Sequence, residues 1–410
     1  MFKEDYMVDK KRISQLANDI RKHLLNDIIP FWESRTKDNE YGGYFTCFDR
    51  EGNITDTDKY IWFQGRQVWM FSALYNRVEK RSNWLELASH GRDFLVNKAY
   101  GGEGRWNYQL DRQGNVKQGK ISIYTDFHVL EGICEFAVAS RREDDLPLIK
   151  EAFDAMESNI YDLTFKDIYD VTWSPRYKRH GIRVTGLQSA RIAEQVLGKE
   201  YTRPLIDYCL EQLLYVFAKD DLQLSPESVS PYGAFVNDGD GRVVNPGHIL
   251  EGMWFCIHEG KKRDDRTIIE RAIQIADWGY QRGYDTEYGG IFAYLDAYGA
   301  EPIQYAWYEE VDMSWDDKSW WVQAETLYAL ALIAIEKQSE EFLNRFTEHY
   351  EWCRQHFFDP EFGEWYTELY RDCTPKLRDK GTLWKAAYHL PRALMLTMLL
   401  FEKYVEDPSN

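Results

Sequence analysis

Apolar residues recur at helical spacing in long blocks along this chain. Leu327, Leu330, Ala331 and Ala334 show the period plainly, with polar positions on the opposite face. The same pattern predicts about twelve helices, over 11–33, 62–80, 84–98, 122–140, 145–160, 183–197, 202–218, 247–260, 265–282, 318–336, 339–357 and 385–404. Between them a phrase recurs. Glu40-Tyr-Gly-Gly-Tyr44 precedes Asp49-Arg-Glu-Gly-Asn53, and Tyr100-Gly-Gly-Glu-Gly104 precedes Asp111-Arg-Gln-Gly-Asn115. Further copies are Pro231–Phe235 before Asp238–Gly241, Glu287–Ile291 before Asp296–Gly299, and Glu361–Trp365 before Arg371 and Asp372. Glycine for positive φ, alternating aromatics and an Asp/Gly turn together predict a short β-hairpin each time. A sixth copy is expected around Tyr169 to Tyr177.

The copies lie roughly 55 to 75 residues apart, and internal repeats of that kind outrank other fold clues. Paired helices joined six times by hairpins predict an all-α fold, a closed (α/α)6 barrel. Six inner helices would line a central cleft and six outer helices would shield them. No Pro/Ser-rich linker interrupts residues 1–410, so a single domain is expected.

Composition narrows the function. Apolar residues make up 44%, enough for a large core, and the formal charge of −18 is spread along the chain. Nucleic acid and anionic membrane both reward clustered Lys and Arg, so neither is an expected partner. No apolar run is long enough to span a bilayer, and MFKEDYMVDKKR lacks the apolar core of a signal peptide. The six cysteines form no Cys-x-x-Cys pair and read as reduced thiols of a cytoplasmic protein. The 15 Trp and 28 Tyr suit flat hydroxylated rings such as sugars, and serve equally as filler in a large helical core.

Unusual residues gather at the starts of alternate helices. Trp62, Arg66 and Trp69 share one face, Asp126 and His128 open another helix, and His248 and Glu251 stand three apart on a third. Trp320, Trp321 and Glu325 open the next, and Trp384, His389 and Arg392 the last. If these helices are the inner ones, their first turns meet at one mouth of the barrel. His248 with Glu251 reads either as a base beside its carboxylate or as a helix-opening pair that complements the dipole. Arg66 between tryptophans reads as an oxyanion partner or as a stacked structural cation. His349 and His356 sit on a charged helix and read as packing or surface residues. No metal motif, P-loop or nucleophile elbow is present, so no metal is expected.

Four stretches together resemble the N-acylglucosamine 2-epimerase family, whose superfamily includes cellobiose 2-epimerases and mannose isomerases. They are Tyr60-Ile-Trp-Phe-Gln-Gly-Arg66-Gln-Val-Trp-Met70, Asn245-Pro-Gly-His248-x-x-Glu251, Trp320-Trp321-x-x-x-Glu325 and Tyr388-His389-x-Pro-Arg392. The likeness runs from Phe31-Trp32 to Arg392 and implies the (α/α)6 barrel. It also implies that His248 and His389 are an acid/base pair, that Arg66 contacts the sugar, and that Glu251 partners His248. It implies further a homodimer, and activation of some members by ATP. The chain shows no nucleotide signature, and no cofactor is expected. Two stretches depart from the N-acylglucosamine branch: Trp320–Glu325 looks like the cellobiose epimerase branch, and Arg183–Arg191 replaces a helix bearing Met and Pro, which keeps an unmodified sugar such as mannose as a second substrate class.

The expected reaction is inversion at C2 of a sugar with a free reducing end. One histidine removes the C2 proton, Arg66 stabilises charge on O1, and the other histidine returns a proton to the opposite face. Trp62, Trp69, Asp126, His128, Trp320, Trp321, Glu325, Trp384 and Arg392 are expected to bind the sugar. An aldose–ketose isomerase would use the same site. A glycoside hydrolase would instead need paired carboxylates, Glu251 with Glu325 or Asp126.

Overall fold

The computed structural model describes residues 8–162, 164–168, 177–299, 301–302 and 314–408. Residues 169–176 of the expected sixth hairpin, and the first seven residues of the chain, lie outside that set.

Twelve long helices appear among the described residues, close to the expected spans. They are α1 (Lys10–His23, continued by a π-helical turn into Ile29–Glu33), α2 (Ile61–Arg77), α3 (Ser82–Phe94), α4 (Ile123–Ser140), α5 (Leu146–Tyr161) and α6 (His180–Leu197). The second half holds α7 (Lys199–Glu211), α8 (Pro246–Arg263), α9 (Arg266–Gly283), α10 (Trp320–Lys337), α11 (Glu340–His356) and α12 (His389–Glu406). The even-numbered helices form the inner ring, each packed on the next, with α12 returning to α2. The odd-numbered helices lie outside, each against its inner partner. Burial follows that placement. Outer α11 buries a stripe of Phe342, Leu343, Phe346, His349, Tyr350 and Cys353. Inner α10 is buried on nearly every side, so its period is blurred in the sequence. All six cysteines are buried free thiols. Among the described residues no helix is long and apolar enough to cross a membrane.

The expected barrel is present, and three expected hairpins pair locally, Cys47–Phe48 with Ile54–Asp56, Gln109–Leu110 with Val116–Gln118 and Glu368–Leu369 with Pro375–Leu377; further strands pair between repeats. The two residues before an inner helix pair antiparallel with the next repeat: Lys59–Tyr60 with Gln109–Leu110, and Lys178–Arg179 with Ser228–Val229. Val243–Val244 pairs with Leu295–Asp296, and Lys318–Ser319 with Glu368–Leu369. One copy of the phrase also shifts register. Ser230 N donates to Ala234 O as Asp49 N donates to Asn53 O, so Pro231–Phe235 is the second turn of its hairpin. The first turn there is closed by Lys219 and Leu224.

Four repeats, consecutive around the ring, are joined by three copies of one ionic clasp. Asp38, Asp285 and Asp359 each take the Nζ of a fully buried lysine at 3.0 Å: Lys59, Lys318 and Lys380. Each also takes an arginine Nε from the turn of the following hairpin: Arg112 at 3.1 Å, Arg371 at 3.0 Å and Arg50 at 2.8 Å. Each lysine lies over an aromatic ring, Phe45, Phe292 or Tyr366. Burial opposes ionisation of Asp38 and Asp285, but their paired cations outweigh it and hold both at about 2. In parallel, Gln64 bonds the N–H and C=O of Tyr44, and Gln323 does the same for Ile291. These contacts tether the loops that rim the cleft to the inner helices.

The contact between α2 and α4 is backbone to backbone. A Cβ at Gly65 would stand 2.4 Å from His128 O, and one at Gly132 would stand 2.5 Å from Gly65 O. Only glycine at both positions allows this approach, which sets Arg66 beside His128.

Candidate active site

The first turns of the inner helices do meet at one end of the barrel and line a cavity. From α2 come Trp62 and Arg66, from α4 Tyr124, His128 and Glu131, and from α6 Ile182, Thr185 and Gln188. The α8 helix adds His248 and Glu251, α10 adds Trp320 and Trp321, and α12 adds His389 and Arg392. Trp384 and Tyr388 enter from the loop before α12. That helix begins at His389, not at residue 385 as the periodicity predicts. Lys385 is instead buried below the loop, its ammonium on the carbonyls of Trp365 and Tyr366 and on Glu364.

The Asn-Pro-Gly-His stretch is explained by local geometry. Asn245 caps α8, its Oδ1 accepting from His248 N at 3.0 Å, and Pro246 occupies the first turn. At Gly247 a side chain would meet the Trp321 indole at 2.8 Å. That indole packs against both imidazoles, with ring centroids 5.1 Å from His248 and 5.5 Å from His389. The structure therefore brings the two histidines from α8 and α12 to one aromatic surface.

Their surroundings differ. His248 Nδ1 stands 2.9 Å from Glu227 Oε1, and Glu227 comes from the loop before Ser228. Burial works against a charge on His248, but Glu227 outweighs it and raises the affinity for the proton. His389 Nδ1 stands 2.8 Å from Glu325 Oε1, which also accepts from Arg392 Nη2 at 2.7 Å. Burial, with Arg66 and Arg392 nearby, pushes His389 well below its ordinary value. One imidazole thus favours the charged form and the other the neutral form. Divergence within a pair of titratable groups is the pattern expected of an acid and a base.

Behind this pair lies a buried polar network. Tyr388 donates to Glu131 Oε2 at 2.9 Å and accepts from Arg392 Nη1 at 2.9 Å. Glu131 also accepts from Ser189 at 2.8 Å and faces His128 Nδ1 at 3.1 Å. Burial pushes His128 down to about 4, so it is neutral at physiological pH. Arg66 lies over the rings of Trp62 at 5.2 Å and Tyr388 at 4.8 Å. Its Nε has no hydrogen-bond partner among the described residues. A guanidinium held by ring faces keeps its donors for something else.

Several expected roles move. Glu251 does not bond His248; it bonds Arg392, and its Oε1 is 3.8 Å from His389 Nδ1. The spacing of three put Glu251 on the right helix face, yet the arginine on α12 is the nearer cation. Glu325 is fully buried, bonds His389, Arg392 and the Trp254 indole, and is not among the residues that line the cavity. Asp126 binds Arg105 Nε at 2.7 Å and Trp106 N at 2.9 Å, fastening a hairpin outside the cavity. Trp69 is buried edge-on to Tyr388 at 5.5 Å and is not among the residues that line this cavity. Trp62, Arg66, His128, His248, Glu251, Trp320, Trp321, Trp384, His389 and Arg392 do line it. Sequence reasoning missed Glu227, Glu131 and Tyr388. The spacing of three from His128 to Glu131 was available as a signal, as was the adjacency of Tyr388 to His389. Nothing local marked Glu227.

The arrangement also bears on other chemistries. Glu251, Glu325 and His389 place ligand atoms within 4.8 Å of one another, but the Arg392 guanidinium already bonds both carboxylates. For a glycosidase, the same two carboxylates would have to face each other across a substrate. Here they converge on one arginine.

The model of the family described as N-acylglucosamine 2-epimerase matches residues 43–393. The N-acylglucosamine 2-epimerase of Mus musculus is 28% identical over 96% of this chain and 92% of its own length. The cellobiose 2-epimerase of Dictyoglomus turgidum is 25% identical over 91% of this chain and 96% of its own. Among solved structures, the cellobiose 2-epimerase of Spirochaeta thermophila superposes with a TM-score of 0.81 at 17% identity, covering 97% of this chain and 99% of that one. The chain belongs to the N-acylglucosamine 2-epimerase family.

Proposed function

We propose that this protein inverts C2 of a 2-acylamino hexose with a free reducing end, interconverting the N-acetylglucosamine and N-acetylmannosamine configurations. The observation that carries the reading is the shared indole: His248 and His389 flank Trp321, and their environments favour opposite charge states. The substrate class is supported by the names of the relatives that align over nearly the whole chain.

In the open-chain aldehyde the C2 proton is acidic because the carbonyl accepts the electron pair as an enediolate-type anion. His389, neutral, takes that proton on Nε2, with Nδ1–H directed to Glu325. Arg66, which lines the cavity, stabilises the charge that develops on O1. His248, protonated, delivers a proton to the opposite face of the planar carbon, and C2 is inverted. Trp320, Trp321 and Trp384 offer ring faces and edges to the carbon skeleton.

The test is proton NMR in D2O with N-acetylmannosamine, mannose and cellobiose in parallel, with and without ATP. Deuterium entering C2 of N-acetylmannosamine, with growth of its C2 epimer, supports the reading. Exchange with mannose or cellobiose alone would move the substrate to an unmodified sugar. A ketose product would make the enzyme an isomerase, and no exchange with any of the three would overturn the two-histidine mechanism.

A further inference from the structure

Glu227 faces two imidazoles. Its Oε1 stands 2.9 Å from His248 Nδ1, and its backbone carbonyl accepts from His180 N at 2.8 Å. Its own N–H donates to Val243 O at 2.8 Å, so the residue is fastened both to the start of α6 and to the strand that enters α8. The His180 ring is fully buried, edge-on to Phe217 at 5.2 Å, with neither ring nitrogen hydrogen-bonded among the described residues. Burial pushes it to about 4, so His180 stays neutral and does not compete with His248 for the carboxylate charge. The other charges that face His248 are Glu251 and Arg66, and Arg179 faces Glu227 itself.

Glu325 holds the equivalent place beside His389. Both glutamates bond a histidine Nδ1 at nearly the same distance, 2.9 and 2.8 Å. Glu325 gives the same oxygen to Arg392, whereas Arg179, near Glu227, directs its Nη1 to Ser228 Oγ at 2.7 Å. A carboxylate neutralised by arginine orients an imidazole without charging it. A carboxylate without that bond does both.

We propose that Glu227 is a positioning residue for His248. It fixes the tautomer with hydrogen on Nδ1, turns Nε2 to the substrate, and supplies the negative charge that the imidazolium form needs. The inference rests on the two-histidine reading above, and takes Glu227, not Glu251, as the carboxylate that makes His248 the acid.

The experiment is a pH titration of the His248 imidazole by 15N NMR in the wild type and in Glu227→Gln, alongside the pH profile of kcat. Wild-type His248 in its neutral form should carry hydrogen on Nδ1. In Glu227→Gln its midpoint should fall by about one pH unit or more, as expected on losing an opposite charge at contact. The alkaline limb of kcat should move down with it while KM changes little, and Glu227→Asp should restore part of the shift. Hydrogen on Nε2 in the wild type, or equal midpoints in wild type and Glu227→Gln, would overturn the proposal. The wild-type tautomer decides the question even if the glutamine variant does not fold. His248→Asn separates the two readings: undiminished inversion at C2 in that variant sinks the two-histidine mechanism but leaves the Glu227 titration result standing.

Discussion

Arg392 and His389, three residues apart on α12, share a single acceptor atom, Oε1 of Glu325, at 2.7 and 2.8 Å. The guanidinium balances the carboxylate, so the imidazole beside it is oriented but not charged. Arg392→Met should leave Glu251 and Glu325 without their cation and cost about 3 to 5 kcal/mol of stability, the usual result of halving a buried ion pair. The pH effect has a definite sign. His389 works neutral and is held low by burial and by Arg66 and Arg392. Without Arg392 its value rises, and the acid limb of kcat/KM should move to higher pH. Urea unfolding and a pH–rate profile measure the two effects.

Loss of either imidazole should stop inversion without unfolding the barrel. His248→Asn and His389→Asn are each expected to lower the epimerisation rate by about 10²- to 10⁴-fold. The partial reaction distinguishes them. With N-acetylmannosamine or its epimer in D2O, one variant should still wash out the C2 proton of one epimer without inverting it. Full inversion by both variants would contradict the assignment.

Gly65 should tolerate no side chain. The Cβ of Gly65→Ala would lie 2.4 Å from His128 O, a backbone atom that cannot turn aside. Overpacking of this kind costs about 1 to 3 kcal/mol. Because Arg66 is the next residue, kcat should fall as well, although Gly65 touches no substrate. Thermal unfolding and kcat in one preparation would show both.

The clasps predict an acid response. Asp285 is held at about 2 by Arg371 and Lys318 against an ordinary value of 3.8, so it adds stability above pH 4 that is lost as the pH falls toward 2. Lys318→Met should lower stability by about 3 to 5 kcal/mol at neutral pH. It should also shift acid unfolding, followed by circular dichroism, to higher pH.

Much of this architecture was legible in the chain. Amphipathic outer helices such as α11 declare themselves, and the Gly-Gly phrases mark every turn that Lys59, Lys318 and their aspartates later join. The histidines were legible because they open helices whose first turns must converge in such a barrel. The partners were not. Glu251 sits three residues from His248, yet Arg392 reaches it from α12, 141 residues away. Glu227 lies 21 residues before His248 and arrives through the pairing of Arg179 with Ser228, a contact between two repeats. Asp126 carried the residue type expected of a sugar ligand but points outward to Arg105. Spacing reports which face of one helix a side chain occupies, and these relationships are set between helices.

The clasp of Asp359 with Lys380 and Arg50 joins the last repeat to the first by the same groups that join Asp38 to Arg112 and Asp285 to Arg371. At the opposite end of the barrel, beside the C-cap of α10, the Tyr404 hydroxyl reaches Val8 O and so joins the two ends of the chain. In space the repeats are therefore cyclic while the chain is linear, and the clasp found between neighbouring repeats also spans the junction of its two ends. A circularly permuted protein, reopened in an exposed outer loop and with residues 8 and 408 linked, should close the same barrel around the same two histidines.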